Sequence, residues 1–460
     1  MSSLNEIQTS SFAVIGAARS GLAAARLLHK LGARVFLSES AGREKCAEVA
    51  DELDALGIPN EFGSHSDRVF EADHMVVSPG VPSDAPIIVR AQERGIEVMS
   101  EVELGSRVHE GPIIAVTGTN GKTTTTTLIG AVLQSAGCDP LVAGNIGIAF
   151  CEVLTESALK SRTAVLEISS FQLDHCVTFH PRIALLTTLT PDHLYRYHGR
   201  MEEYVASKQR IFMNQDASDV LLYNADMDST VRAVKSAQSL AFGFSVTRSL
   251  PIGGWKDGDE LVLNIGQGRE TVCGVQELRI SGAHNHMNVL SAALAARLHG
   301  VEMDQVRAAV LEFSGVEHRL ELVRTLDGVQ WINDSKATNV DSVITALQSC
   351  EQPVVLIAGG RDKQSPYDPL FELISQKVRT AVLIGEAADK MEQVFSPFTR
   401  IVRAGDMEEA VNIARTLAQP GDAVLLSPAC SSFDMFTDFE ERGRVFKELV
   451  RKLTGGETGS

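Results

Sequence analysis

The sequence predicts an α/β protein in three domains. Two are Rossmann-like, and they flank a central domain whose mainly parallel sheet carries a small antiparallel sheet. Three observations lead there. First, the chain has 460 residues, and at about 150 residues per domain that length suggests three. Second, short β-branched runs followed by glycine and a longer amphipathic stretch recur along it, the pattern of parallel strands joined by crossover helices. Third, between Leu250 and Gly282 the texture changes to glycine-rich, alternating segments such as Glu260-Leu261-Val262-Leu263-Asn264-Ile265, which read as antiparallel hairpins. The expected domains are residues 1–105, 106–315 and 316–460.

The first strand is read at Phe12-Ala13-Val14-Ile15, followed by a turn from Gly16 to Gly21 and a helix through Leu22, Ala25, Leu28 and Leu31. Val35-Phe36-Leu37 is the next strand, with Ser38 and Glu39 at its end, and Met75-Val76-Val77 stops at Ser78-Pro79-Gly80. The turn lies where a dinucleotide fingerprint would lie. Ala18 replaces the middle glycine of G-x-G-x-x-G, however, and its methyl group hinders close approach to a pyrophosphate. A plain strand–helix turn, a nicotinamide site, and a helix N-terminus holding another phosphorylated ligand such as a nucleotide sugar stay open here.

The second unit opens with the strand 112–116 and then Thr117-Gly118-Thr119-Asn120-Gly121-Lys122-Thr123-Thr124, ahead of a helix through Leu128, Ile129, Val132 and Leu133. Glycines let backbone N–H groups turn onto phosphate oxygens, Lys122 reaches the terminal phosphates, and the Thr123 hydroxyl can ligate magnesium. Val116 takes the first glycine position of G-x-x-x-x-G-K-[ST], and a glycine appears at 118 instead. This predicts an ATP-type triphosphate site and makes the central unit a P-loop ATPase domain. Further strands are read at 164–166 and 183–186. Glu167 closes the former, where a carboxylate can face the phosphate loop and hold Mg²⁺. Asp192-His193 follows the latter, and Lys208 lies on a helical stretch from Met201 to Met213, where it reads as exposed. His284-Asn285-His286-Met287-Asn288 is read as preceding a helix over 289–299. Histidines at i and i+2 do not share a helix face, so Asn285 and Asn288 are favoured as polar contacts to nucleotide.

The third unit begins at His318-Arg319 with a hairpin-like 322–332 and then Asn333-Asp334-Ser335-Lys336-Ala337-Thr338-Asn339. Asp334 and Lys336 at a strand end are too polar for a core and suit ligand contact. Strands follow at 353–357, 381–384 and 423–426. Gly359-Gly360-Arg361-Asp362-Lys363 can bind an anion, and the tail 454–460 reads as disordered. The formal charge of −17 argues against a nucleic-acid binder that works by neutralising phosphates. The N-terminus lacks a signal-peptide pattern, and no run approaches the ~18 apolar residues of a membrane helix. Seven scattered cysteines without C-x-x-C spacing read as buried thiols in a reducing cytoplasm.

Taken in order, Thr117 to Thr124, Asn145-Ile146-Gly147, Asp192-His193, His284-Asn285 and His318-Arg319 resemble the Mur ligases of peptidoglycan synthesis. The segments 167–173, 333–339 and 427–433 resemble the branch that adds D-glutamate. That resemblance implies ATP-dependent amide formation between D-glutamate and UDP-N-acetylmuramoyl-L-alanine by a cytoplasmic monomer. By the same likeness, the uridine nucleotide would lie around Ala18 to Ser20, Ser38, Glu39 and Ser78 to Gly80. Asn145 and His193 would meet the muramoyl-alanine part. Thr123 and Glu167 would hold one Mg²⁺, with His193 and a carbamylated Lys208 near a second. Asn285, Asn288, Arg319, Asp334 and Lys336 would clasp ATP, and Thr338, Lys363, Ser432 and Phe439 would position D-glutamate. Lys122, Glu167, His193 and Lys208 are thus the expected catalytic set. The family run Asp-His-x-Asp-Arg-Tyr carries Tyr195 here in place of its second Asp. A sibling ligase for another amino acid, a non-catalytic nucleotide switch and a nicotinamide oxidoreductase are the rival readings.

Overall fold

The computed structural model describes residues 3–156, 160–362 and 366–454, so most of the tail read as disordered, from 455 onward, lies outside the described residues. The chain divides into two compact units. One holds Met1–Arg279 with Asn285–Phe313, the other Ile280–His284 with Ser314–Ser460.

The first unit contains two sheets. Strands β1 (Ser11–Ile15), β2 (Arg34–Glu39), β3 (Asn60–Phe62), β4 (His74–Val77) and β5 (Glu97–Ser100) form a parallel sheet in the order β3-β2-β1-β4-β5. The central strands β1 and β4 are nearly continuous apolar runs because both faces are covered, whereas the edge strand β3, Asn-Glu-Phe, is only half-buried. The helix Arg19–Lys30 buries Ala23, Ala24, Leu27 and Leu28 on one of them. The strand order reverses at β1, so the turns after β1 and β4 open a crevice at the carboxyl edge, the usual ligand position in such sheets.

The second sheet holds β6 (Ile113–Thr117), β7 (Leu141–Gly144), β8 (Ala164–Glu167), β9 (Ile183–Leu186), β10 (Val220–Asn224), β11 (Leu240–Ser245), β12 (Gly253–Asp257), β13 (Glu260–Asn264) and β14 (Glu270–Gly274). The order is β14-β13-β12-β11-β10-β9-β6-β8-β7. β6 is flanked by β8 and β9, in register Val116 to Glu167 and Thr117 to Leu186. The antiparallel strands read at 250–282 are β12 to β14, and they extend one edge of this sheet. The segment 284–288 differs from the sequence reading. It forms the opening turns of the helix Ala283–Leu298, because the helix starts directly after Gly282.

The other unit holds the hairpin β15 (Glu321–Leu326) and β16 (Val329–Asn333), with β17 (Val354–Gly359), β18 (Val378–Ile384), β19 (Arg400–Arg403) and β20 (Ala423–Leu426), ordered β15-β16-β20-β17-β18-β19. All pairs but the hairpin are parallel. Among the described residues no helix is long and apolar enough to cross a membrane.

Candidate active site

In the second sheet the carboxyl ends of four neighbouring strands, β9, β6, β8 and β7, carry the residues singled out in the sequence. After β6 the chain turns at Gly118 and Gly121, with φ of +146° and +84°, and enters the helix Lys122–Ser135. A β-carbon on Gly118 would overlap the Thr187 hydroxyl, and one on Gly121 would lie 2.7 Å from Asn288 Oδ1. Only glycine fits either place. The loop is laced to the segment after β9: Thr119 N–H donates to Thr188 O (2.8 Å), Asn120 N–H to Thr188 Oγ1 (2.8 Å), and Thr187 Oγ1 to Asn120 O (2.6 Å). The helical ladder begins with Thr125 N–H on Gly121 O (3.0 Å). The amides of 121 to 124, Thr123 and Thr124 included, therefore precede it, at the donor-rich end of a helix that suits anions.

Two lysines end on one carbonyl of this loop. Lys122 Nζ donates to Gly118 O (2.8 Å) and Thr119 O (2.7 Å), and Lys208 Nζ donates to Gly118 O (2.8 Å). Lys208, read as exposed, is 2% exposed. Its helix Met201–Gln209 packs this face inward, and Tyr204, one turn earlier, places its ring 4.7 Å from the Nζ. Burial, then the charge of Lys122, hold the Lys208 ammonium well below the usual lysine range, and Asp192, Asp174 and Glu167 offset part of that. Two lysines converging on a loop that turns at two glycines, beside the amino end of a helix, suit a polyphosphate.

Glu167 ends β8 fully buried, and Asn145, at the end of β7, donates Nδ2 to its Oε1 (2.8 Å). Asp192 and His193 follow β9. His193 adopts φ +52°, its Nε2 lies 3.7 Å from Asp192 Oδ2, and its ring meets Phe171 edge-on at 5.2 Å. Asn288 accepts from Thr125 Oγ1 (3.3 Å) and donates to Asn285 Oδ1 (3.2 Å), which brings the helix Ala283–Leu298 to the phosphate loop.

A crevice of about 430 Å³ opens between the first sheet and the β7 end of the second, lined by Ala18, Arg19, Ser20, Glu39, Ser78, Pro79, Gly80, Asn145 and others. Glu39 accepts from Ala17 N–H (2.7 Å) and Ala41 N–H (2.8 Å). Burial raises its pKa, but these bonds outweigh burial and the carboxyl sits below its ordinary value. Ser38 points the other way. It is fully buried, donates to Glu61 Oε1 (2.6 Å), and lies 2.7 Å from Nδ1 of His65, which does line the crevice.

In the other unit, Asp334 follows β16 and is 1% exposed. It accepts from Ser427 Oγ (2.8 Å) and Leu320 N–H (3.2 Å). Burial pushes its carboxyl up to about 6, against the pull of Arg319. Lys336 Nζ lies 4.4 Å over the Phe439 ring, and Arg319 donates to Ser342 Oγ (3.3 Å). Thr338 is half-buried and Ser432 buried, on the loops after β16 and β20. Arg442 ties those loops together, donating from Nε to Ser335 Oγ (2.9 Å), from Nη2 to Ser335 O (2.8 Å), and to Cys430 O. Lys363 lies outside the described residues.

Sequence reasoning missed Tyr204, whose hydroxyl lies 3.0 Å from Thr119 Oγ1, and Arg442, whereas Arg196 stands in the Asp-His-x-Asp-Arg-Tyr run and finds its polar partners on the carbonyls of 79 to 81. Only Tyr204 left a signal, its i, i+4 spacing from Lys208.

Residues 10–100 match the Mur ligase MurD-like N-terminal domain, 116–296 the Mur ligase middle domain, and 318–430 the Mur ligase glutamate ligase domain. The UDP-N-acetylmuramoylalanine–D-glutamate ligase of Chloroherpeton thalassium is 43% identical over 467 aligned residues, covering 97% of this chain and 99% of that protein. That of Salinibacter ruber is 45% identical over 460, covering 98% and 99%. The solved UDP-N-acetylmuramate-alanine ligase of Thermotoga maritima shares the fold, with a TM-score of 0.61 at 19% identity over 96% of this chain and 99% of that one.

Proposed function

Since the chain belongs to the Mur ligase family, we propose that it joins D-glutamate to UDP-N-acetylmuramoyl-L-alanine with consumption of ATP, an amide-forming step of peptidoglycan precursor synthesis. The observation that carries the reading is the pair of lysines, Lys122 and Lys208, ending on the Gly118 carbonyl of a loop whose two glycines, Gly118 and Gly121, admit no side chain.

A carboxylate resists an amine because oxide is a hopeless leaving group. Transfer of the γ-phosphoryl group from ATP to the alanyl carboxylate gives ADP and an acyl phosphate. The free amine of D-glutamate attacks the acyl carbon, and the tetrahedral adduct expels phosphate and loses a proton to leave the amide. The early amides of the helix Lys122–Ser135 hold the phosphates in line, and Lys122 neutralises charge on the moving phosphoryl oxygens. Asn145 and His193 orient the alanyl end. Asn285, Asn288, Arg319, Asp334 and Lys336 hold the nucleotide, while Thr338, Lys363, Ser432 and Phe439 place D-glutamate.

The donors for magnesium divide into two groups. Thr123 and Glu167 offer the hard oxygens that Mg²⁺ takes, so they fit a first ion. His193 and Lys208 would serve a second, yet an ammonium repels a cation and has no lone pair. Lys208 fits once carbamylated. Its neutral amine, favoured by burial, adds to CO₂ and sheds a proton, giving a carboxylate-like group. Bound magnesium supplies charge neutralisation at the transferring phosphate. On this reading the chain works in the cytoplasm as a monomer on small molecules, not on nucleic acid or membrane.

Phosphate release measured with each substrate omitted in turn tests the proposal, followed by a panel of amino acids. Turnover is expected only with all three substrates and to favour D-glutamate. Robust turnover without D-glutamate, or with L-alanine or a diamino acid in its place, would defeat it.

A further inference from the structure

We propose that Arg196 is a positioning residue that fixes the turn after β4 against the His193 segment, and so sets the shape of the crevice for the nucleotide sugar. The inference rests on the function proposed above and deepens it.

Three backbone carbonyls of that turn converge on one side chain from the second sheet. Arg196 Nη2 donates to Val81 O (2.9 Å) and Pro79 O (3.3 Å), and Nη1 to Gly80 O (3.4 Å). Carbonyl dipoles pointing at one place repel each other, and a cation at that place turns the repulsion into attraction. A planar guanidinium can serve several of them at once, which a single ammonium cannot do in the same geometry. Among the described residues no carboxylate forms an ion pair with Arg196. Its other partner is the Phe171 ring, with the guanidinium carbon 4.4 Å from the centroid.

Both ends of this strap are anchored. Phe171 sits in a short helix whose start is fixed by Ser169 and Gln172 exchanging hydrogen bonds (3.0 and 3.4 Å), two residues beyond Glu167. Arg196 itself lies three residues after His193, whose ring meets the same Phe171. On the far side, Ser78 opens the turn. Its N–H donates to Ile15 O (3.0 Å), and a β-carbon on Gly16 would lie only 2.8 Å from its hydroxyl. The turn therefore packs directly on the first strand–helix turn, and together they form two walls of the crevice. If the turn slips, the wall moves, while the phosphate loop, held by Thr187 and Thr188, stays where it is. The effect should fall on one substrate of three.

The test compares wild type with Arg196→Ala, Arg196→Lys and Phe171→Leu. For Arg196→Ala, KM for UDP-N-acetylmuramoyl-L-alanine is expected to rise at least tenfold, with KM for ATP and for D-glutamate within twofold of wild type. Arg196→Lys should fall between, and millimolar guanidinium should lower the raised KM of Arg196→Ala. An unchanged KM for the nucleotide sugar, or an equal rise for all three substrates, overturns the proposal. Phe171→Leu keeps the arginine and removes its platform, so it gives the same selective rise even where Arg196→Ala fails to fold. Calorimetric titration with UDP alone needs no turnover. At least tenfold weaker UDP binding by Arg196→Ala supports the strap and equal binding overturns it, even if the wild-type chain makes no amide and the ligase reading fails.

Discussion

Gly118→Ala is the most exacting test of the phosphate loop. The added β-carbon overlaps Thr187 Oγ1, lies 2.9 Å from Thr188 N and 3.1 Å from Thr187 Cβ, and stands on a backbone with φ +146°. Strain of that kind costs about 1–3 kcal/mol. The displaced Thr187 hydroxyl also holds Asn120 O (2.6 Å) and Thr117 O (3.2 Å), and losing such bonds costs about 1 kcal/mol more. Taken as roughly 3 kcal/mol of distortion in the bound loop, the change weakens ATP about 100-fold. Calorimetry with a non-hydrolysable ATP analogue reads it, alongside thermal unfolding to show that the fold survives. Adding Thr187→Ala removes the overlapping oxygen but leaves its β-carbon at 3.1 Å. The pair should thus recover about 1 kcal/mol relative to additivity. Analogue binding within threefold of wild type in Gly118→Ala would refute the assignment of residues 117–123 as the cradle.

Three other outcomes are expected. Lys208→Ala should abolish phosphate release, with partial restoration by short carboxylic acids that replace a carbamate; wild-type rates would remove Lys208 from the site. Glu101 is buried beside Cys151 N–H (2.5 Å), and burial raises its carboxyl from 4.5 to about 7. The folded state therefore holds an extra proton between those values, so stability falls as pH rises through that window, by about 3 kcal/mol once complete. Glu101→Gln should lose that slope and melt higher than wild type at pH 8, and parallel pH profiles would contradict this. Glu103, fully buried, accepts from Val177 N–H (3.0 Å), Thr178 N–H (3.0 Å), Phe179 N–H (2.9 Å) and Arg107 Nε (2.8 Å). Glu103→Ala strands these donors and should lower the urea-unfolding free energy by roughly 3–5 kcal/mol, whereas a loss under 1 kcal/mol would show that water replaces the carboxylate.

The parts of the site legible in the sequence are those carried by strand ends. The glycines at 118 and 121, Glu167 and Asp192-His193 each close an apolar run, and the parallel register brings them to one edge. The apolar run Val220-Leu221-Leu222, not among the strands expected above, is β10. β3 and β7 are short and sit at sheet edges, where little periodicity accumulates. Lys208 reads as exposed because its helix shows no clear apolar face, and its burial depends on a loop ninety residues earlier. Arg442 was invisible for the same reason: its partners at Ser335 and Cys430 lie on other loops. Long-range polar pairing leaves no local pattern.

The bond from Asn145 to Glu167 has a consequence for how ligands influence one another. Asn145 sits both on the crevice wall and on the Glu167 carboxylate, whose strand pairs with β6. A molecule in the crevice that captures its amide releases an acceptor oxygen on Glu167, and a cation that claims this oxygen frees the amide. Linkage then makes each occupant alter the other's affinity by the same factor, so a dissociation constant measured for either ligand alone describes a different protein from the one at work.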